Sequence, residues 1–261
     1  MTNQMKIGIL GGGAMANAIS HLLSFNKIEH EIYSRTKQNI EQIGNCEMVF
    51  ICISSEAISA YITLLSNVKI VISCAKGIYT KAQPFISQSF FSRQFCVLSG
   101  PNFASEILES QNTLTTIASQ NSENFLQIQK FLTTPFFHIE TTQNVLGVEI
   151  CGILKNAIAI IMGFYSAKTN SWNEKSFILT KVFQEAVQIL NHFEIDSQIL
   201  HQSCGIGDLF LTCSTPNSRN YKFGFQAHSG SANSAETVEG IRSFEFLDSL
   251  NLNLQFLKKP F

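Results

Sequence analysis

Near its start the chain carries a short apolar, β-prone run, Ile7 to Leu10, that breaks into Gly11, Gly12 and Gly13. It then resumes at once as a helical pattern with Met15, Ile19, Leu22 and Leu23 on one face. Strand, tight turn and helix in that order restrict the chain more than anything else in it. Gly11-x-Gly13-x-x-Ala16 fits the dinucleotide fingerprint, in which the third position tolerates alanine. In such a unit the glycines let the backbone approach a pyrophosphate, and the helix N-terminus meets its charge with free N–H groups. The candidate cofactor contacts are therefore Gly11, Gly12, Gly13, Ala14, Met15 and Ala16; the other reading of the same residues is a turn with a purely structural role.

The strands that follow extend the pattern. His30 to Arg35 reads as a second strand, and residues 48–54 and 69–76 are near-continuous apolar runs of the kind buried on both faces of a parallel sheet. Residues 95–99, 114–118 and 136–140 read as further strands. Residues 37–43, 55–66, 80–93 and 123–132 read as the helices between them. This βαβα alternation specifies an α/β, doubly wound Rossmann-type sheet, with ligands at the carboxyl ends of its strands. The second strand ends in Ser34-Arg35 where a carboxylate would grip a ribose 2′-hydroxyl. Arg35 either attracts a 2′-phosphate, so that NADP is accepted as well as NAD, or is an ordinary solvated cation.

From about Asn144 the texture becomes wholly helical, with helices over 144–165, 175–193, 197–203, 208–213 and 235–250. The expected organisation is thus a dinucleotide-binding domain over 1–142 and an all-helical substrate and catalytic domain over 143–261. A net charge of −1 without a Lys/Arg run argues against a nucleic-acid surface. The apolar run before the glycines is too short for a signal sequence, and Lys155 and Asn156 interrupt the most apolar window, residues 150–165, so no membrane segment is expected. The seven cysteines are scattered, without a C-x-x-C pair, and the six histidines are unclustered. They read as reduced thiols of a cytoplasmic protein that holds no metal.

Chemistry gathers in the second half. Lys155 is the one charge between Cys151 and Tyr165. Packed in that helix it would be desolvated, which disfavours its ammonium form and suits proton transfer; at the helix surface it would instead keep its head in water. Asp208 follows Gly205 and Gly207 and is well formed as an N-cap, with Thr212 one turn on so that both can face one site. Ser218-Arg219-Asn220 sits in what reads as a polar loop, and Arg219 is a fork suited to phosphate.

Taken together, the glycine turn, Ala75-Lys76-Gly77-Ile78, Leu98-Ser-Gly-Pro-Asn-Phe-Ala104-Ser-Glu106, Gly147-Val-Glu149-x-x-Gly152-x-Leu-Lys155-Asn156, Gly207-Asp208-Leu and Ser218-Arg219-Asn220 resemble the NAD(P)-dependent glycerol-3-phosphate dehydrogenases of bacteria, in the family's order and over almost the whole chain. The resemblance implies reversible reduction of dihydroxyacetone phosphate to sn-glycerol 3-phosphate with NAD or NADP as cofactor, for phospholipid synthesis. It implies Lys155 as proton donor and acceptor, Lys76 and Asp208 around the carbonyl, and Thr212 as a helper. Gly100, Asn102, Asn156, Ser218, Arg219 and Asn220 fall to the phosphorylated substrate. Lys76, Ala104, Arg219 and Glu239 reach the cofactor, and a homodimer is a further expectation. The chain departs from the family pattern in a shorter stretch before Met48, in Ser166 to Glu174 where the family is glycine-rich, and in a shorter end after Glu239-Gly240. Two other readings stand beside it: a different Rossmann reductase such as a pyrroline-5-carboxylate reductase, suggested by Gly13 to Ile19, and a non-catalytic nucleotide-binding protein.

Overall fold

The computed structural model describes residues 5–36, 40–91, 94–232 and 239–261. Seven strands form one sheet: β1 (Ile7–Leu10), β2 (His30–Tyr33), β3 (Met48–Ile51), β4 (Ile70–Ser73), β5 (Phe95–Ser99), β6 (Thr113–Ser119) and β7 (Phe137–Thr142), in the order β2-β1-β3-β4-β5-β6-β7. Every residue of β1, β3, β4 and β5 is buried, as the continuous apolar runs require.

The alternation is not parallel throughout. β5 and β6 pair antiparallel, with Leu98 opposite Ile117. The chain leaves β5 through Gly100, where φ is +155° and an added Cβ would lie 3.0 Å from the Thr115 Cα, so any side chain would be strained. It then makes only the five-residue helix α3 (Ala104–Leu108) before turning back. The chain thus re-enters the sheet from the end at which β5 finishes, and β6 runs antiparallel to it. The helices α1 (Ala14–Phe25) and α4 (Ser122–Leu132) join α3 on one face of the sheet, where a core around Ile9, Phe50, Ile72, Leu98 and Phe137 closes.

The opposite face is covered by the helical part. The 24-residue α5 (Val145–Lys168) starts at Asn144, whose side chain accepts from the Gly147 N–H at 2.9 Å. Its Val148, Ile158 and Ile161 share one core with Val49, Val71 and Val97 of the sheet and with Val182 and Ile189 of α6 (Trp172–His192). By length and composition α5 is long and apolar enough to cross a membrane, more so than the interrupted run 150–165 suggests, but 89% of that stretch is buried inside the protein. It is a core helix packed on all sides. Beyond it lie α7 (Asp208–Cys213), α8 (Arg219–His228) and α9 (Glu239–Ser249), and no strand follows Thr142 among the described residues. Of the expected helix over 235–250, positions 235–238 lie outside the described residues, as do 37–39 of the segment 37–43.

Three expected crossover helices are curtailed, the first in that the described part of 37–43 lies in a 3-10 turn, Ile40–Asn45. Residues 55–66 form a 3-10 turn, Ser55–Tyr61, and only one α-turn, α2 (Ile62–Leu65). Residues 80–91 hold a single 3-10 turn, Ile86–Ser89. There the backbone is claimed from elsewhere: the Glu149 carboxylate on α5 accepts from the Ser87 N–H at 3.1 Å and the Ser87 hydroxyl at 2.5 Å. Burial pushes the Glu149 carboxyl up to about 7, against the opposing pull of these hydrogen bonds. The folded chain therefore holds this proton more tightly than the unfolded one. The resulting stabilisation is complete below about pH 4.5 and drains away as pH rises to about 7. Urea denaturation of wild type is expected to lose roughly 2–3 kcal/mol to this group across that window. Glu149→Gln removes that part of the slope, and an unchanged slope in the variant would refute the assignment.

Candidate active site

The glycine turn behaves as its sequence requires. Gly11 has φ +128°, and a Cβ there would lie 2.6 Å from the Cys52 carbonyl oxygen; Gly13 is the N-cap of α1 and has nothing within 4 Å. No side chain caps α1 and its first turn carries no acid. Ala16 is fully buried, seating the helix tightly on the sheet. The turn opens on a cleft of about 820 Å³ lined by Gly11, Gly12, Gly13, Tyr33, Ser34, Arg35 and the 3-10 turn carrying Glu56. The open face of Gly13 and the uncapped helix end fit a pyrophosphate, and the cleft fits the adenosine half of a dinucleotide.

A second cavity of about 320 Å³ shares Cys52, Ile53 and Ser54 with the first. It brings together Met15, Lys76, Asn102, Lys155, Asp208, Arg219 and Glu239, residues from both halves of the chain. The Lys76 ammonium donates to the Gly100 carbonyl at 2.7 Å and to Asp208 Oδ2 at 2.8 Å. Lys155 Nζ lies 3.5 Å from Asp208 Oδ1. Both lysine side chains are 14% exposed and Asp208 is 2% exposed, so one buried carboxylate bridges two cations. Lys155 thus turns into the cavity and not out to water. Burial pulls the Lys76 ammonium below its ordinary range, with Lys155 adding to the effect and Asp208 opposing it.

Asp208 is therefore not the cap that its position after two glycines suggests. Gly207 occupies the cap position, a π-type turn over Ser203–Gly207 precedes it, and the carboxylate is engaged by the lysines. Thr212 donates to the Asp208 backbone carbonyl at 2.6 Å and lies 3.3 Å from Oδ1. It supports Asp208 from behind, outside the set that lines the cavity. The segment 218–220 is not a loop: Ser218 caps α8 by accepting from the Tyr221 N–H, and Arg219 and Asn220 form its first turn.

Asn220 Nδ2 donates to Asn156 Oδ1 at 2.8 Å, while Asn156 Nδ2 reaches Glu239 Oε2 at 3.3 Å and the Lys76 carbonyl at 3.4 Å. Burial raises the Glu239 carboxyl, against Lys155, Arg219 and Lys76. One turn on in α9, Arg242 pairs with Glu56, tying the helix that carries Glu239 to the wall of the first cleft. Asn102 donates to Thr115 Oγ1 at 3.0 Å, and its buried Oδ1 has no protein partner. Gly100 contributes its carbonyl to Lys76, whereas Ser218 and Ala104 do not line the cavity; Ala104 packs on the sheet core. Cys52, Cys74, Phe103 and Leu211 line it and were not singled out from sequence, although the first two stand at the carboxyl ends of β3 and β4 where ligands are expected. Among the described residues no group of three His, Cys, Asp or Glu is placed to hold a metal ion.

Residues 43–125 match the family model for the N-terminus of NAD-dependent glycerol-3-phosphate dehydrogenase, and residues 144–258 match that for its C-terminus. Glycerol-3-phosphate dehydrogenase (NAD(P)+) of Pseudomonas fluorescens is 30% identical over 290 residues, covering 95% of this chain and 82% of its own. The protein of that name from Gloeobacter violaceus is 30% identical over 249 residues, with 90% and 82% covered. Among solved structures, glycerol-3-phosphate dehydrogenase from Coxiella burnetii superposes with a TM-score of 0.84 at 20% identity, covering 95% of this chain and 89% of its own. The Saccharomyces cerevisiae enzyme gives 0.81 at 17% identity, covering 98% and 94%. These two establish the fold. The sequence matches over both halves go further, and they decide between the two reductase readings: the chain belongs to the NAD-dependent glycerol-3-phosphate dehydrogenase family.

Proposed function

We propose that this chain reversibly reduces dihydroxyacetone phosphate to sn-glycerol 3-phosphate with NADH or NADPH, in the cytoplasm, as a supply of glycerol backbones for phospholipids. The observation that carries the reading is the Lys76–Asp208–Lys155 bridge in a cavity continuous with the glycine-turn cleft. The nicotinamide, when bound, supplies the hydride. Adding it to a ketone leaves charge on the carbonyl oxygen, which needs a proton and nearby positive charge. Lys155 gives the proton to that oxygen. Lys76, fixed by the Gly100 carbonyl and Asp208, holds the positive charge in place without reorganisation. Asp208 neutralises one of the two lysines, which keeps both ammonium groups tolerable in a buried site. In the reverse direction the uncharged Lys155 amine takes the hydroxyl proton.

Arg219, beside Asn220 and Asn156, is placed to bind the phosphate through its guanidinium fork, and the unpartnered Asn102 Oδ1 offers an acceptor to a substrate hydroxyl. Phosphate binding far from the reacting carbon then orients the carbonyl. The seven cysteines are all free thiols, which supports the cytoplasmic placement.

Oxidation of NADH and of NADPH by dihydroxyacetone phosphate, followed by absorbance, tests the reading; turnover with neither would overturn it. Arg35, exposed at the rim of the first cleft, is positioned to meet a 2′-phosphate. Arg35→Ala is expected to raise KM for NADPH about tenfold, the effect of losing about 1.4 kcal/mol, and to leave KM for NADH nearly unchanged. Equal changes for the two cofactors would remove Arg35 from this role.

A further inference from the structure

Cys52 and Cys74 form a pair that the proposed reaction does not use. β3 and β4 run parallel in a register that sets Met48 beside Ile70 and Phe50 beside Ile72. Carried two residues further, that register sets Cys52 beside Cys74, and side chains two apart lie on one face of a sheet. The ladder continues to this point, because the Cys74 N–H donates to the Ile51 carbonyl at 3.0 Å and the Cys52 N–H to that of Leu10 at 2.8 Å. Neighbouring strands are about 4.8 Å apart. The two thiols accordingly sit side by side on one face of the sheet, and both line the cavity that holds Lys76 and Lys155. Cys52 also borders the glycine-turn cleft. The pair thus lines the place where the two cavities join, in a cavity that Met15 of α1 also lines.

Two neighbouring thiols at an open cleft suit a ligand that takes two thiols at one atom. Zinc is not that ligand, since it needs four donors and no third His, Cys, Asp or Glu completes such a set among the described residues. A soft trivalent centre is. We propose that Cys52 and Cys74 form a dithiol site for trivalent arsenicals, and that its occupation blocks the cofactor cleft. With an organic arsenoxide the two As–O bonds of the oxide are replaced by two As–S bonds. The two thiol protons leave with the oxide oxygen as water, and nothing is oxidised or reduced. The neighbouring Cys74 and burial hold the Cys52 thiol well above its usual range, so Cys52 stays protonated, which suits that reaction and disfavours its attack on peroxides or alkylating agents.

A second thiol pair provides the internal control. Cys151 and Cys204 also neighbour each other, but they are 2% and 0% exposed and line neither cavity.

The block on the cofactor rests on the reading of the cleft given above; the dithiol site does not. Phenylarsine oxide added stoichiometrically to the full chain is expected to give one phenylarsenic adduct by intact mass, removable with 2,3-dimercaptopropanol. The adduct is lost in Cys52→Ser and in Cys74→Ser, each checked for folding by circular dichroism, and retained in Cys204→Ser. NADH at 100 times its Kd slows adduct formation roughly 100-fold. Adducts forming at the wild-type rate in both Cys52→Ser and Cys74→Ser would overturn the site. Cysteine-dependent labelling that NADH leaves unslowed would instead overturn the placement of the cofactor, with the dithiol site standing.

Discussion

Replacing Lys155 with alanine is expected to lower kcat for dihydroxyacetone phosphate reduction by roughly 10²- to 10⁴-fold, the range that a positioned acid or base supplies. The Kd for NADH should stay within about twofold, because Lys155 faces the second cavity and is not part of the glycine-turn cleft. The charge balance sharpens the expectation. Asp208 bridges two lysines, so removing Lys155 leaves Lys76 as its one cationic partner at 2.8 Å, a closed ion pair with no proton to spare for the carbonyl oxygen. The variant should therefore fold but turn over slowly. Lys155→Arg should stay nearly as slow, since a guanidinium keeps the charge and does not release its proton near neutral pH. A small primary amine in the assay, entering the space left by Lys155→Ala, should restore part of kcat without changing KM for NADH. Steady-state rates for wild type and the two variants decide the matter: an alanine variant with wild-type kcat would take Lys155 out of the chemistry.

The same bridge shows what local sequence can and cannot reveal. The glycine turn is legible because strand, turn and helix all lie within residues 7–25, where each feature depends on its neighbours in the chain. The central apolar runs of β3, β4 and β5 are legible for the same reason, as is α5 with its capping Asn144. Two of the misreadings share one cause, a partner far away in sequence. Asp208 looks like a cap until Lys76, 132 residues earlier, takes its carboxylate. Residues 80–91 look helical until Glu149, 62 residues on from Ser87, binds the backbone of their only turn. The direction of β6 has another cause: the chain turns back through Gly100 and α3 on the side where β5 ends, which strand composition does not encode. The cavity itself was legible as a set of residues through family resemblance, but not as a geometry: the Asn156–Asn220 bond and the Cys52–Cys74 pair follow only from how elements meet.

Helix α8 is the sharpest such case and carries the second large effect. Gly224 sits in the middle of this ten-residue helix, where by propensity alone alanine would be better by about 1 kcal/mol. Gly224→Ala is nevertheless expected to destabilise the protein by about 3 kcal/mol. A Cβ at Gly224 would overlap the Ile160 carbonyl of α5, and one at Gly163 of α5 would overlap the Tyr221 carbonyl of α8. The two helices thus meet backbone to backbone, closer than the 8–10 Å between axes that ordinary side chains impose. The obstructing atoms belong to rigid main chain, so the added methyl must move a helix, and overpacking of that kind costs more than propensity returns. Function should suffer beyond stability, because the first turn of α8 carries Arg219 and Asn220. A helix displaced from α5 breaks the 2.8 Å bond between Asn220 and Asn156 and withdraws the guanidinium from the cavity. At a temperature where the variant remains folded, KM for dihydroxyacetone phosphate should rise at least about tenfold, the equivalent of about 1.4 kcal/mol of binding, while the Kd for NADH changes far less. Urea denaturation and steady-state kinetics on the same sample separate the two effects. A variant as stable as wild type with unchanged KM would mean that α8 can retreat without cost, and that the close approach at Gly163 and Gly224 does not position the phosphate-binding residues.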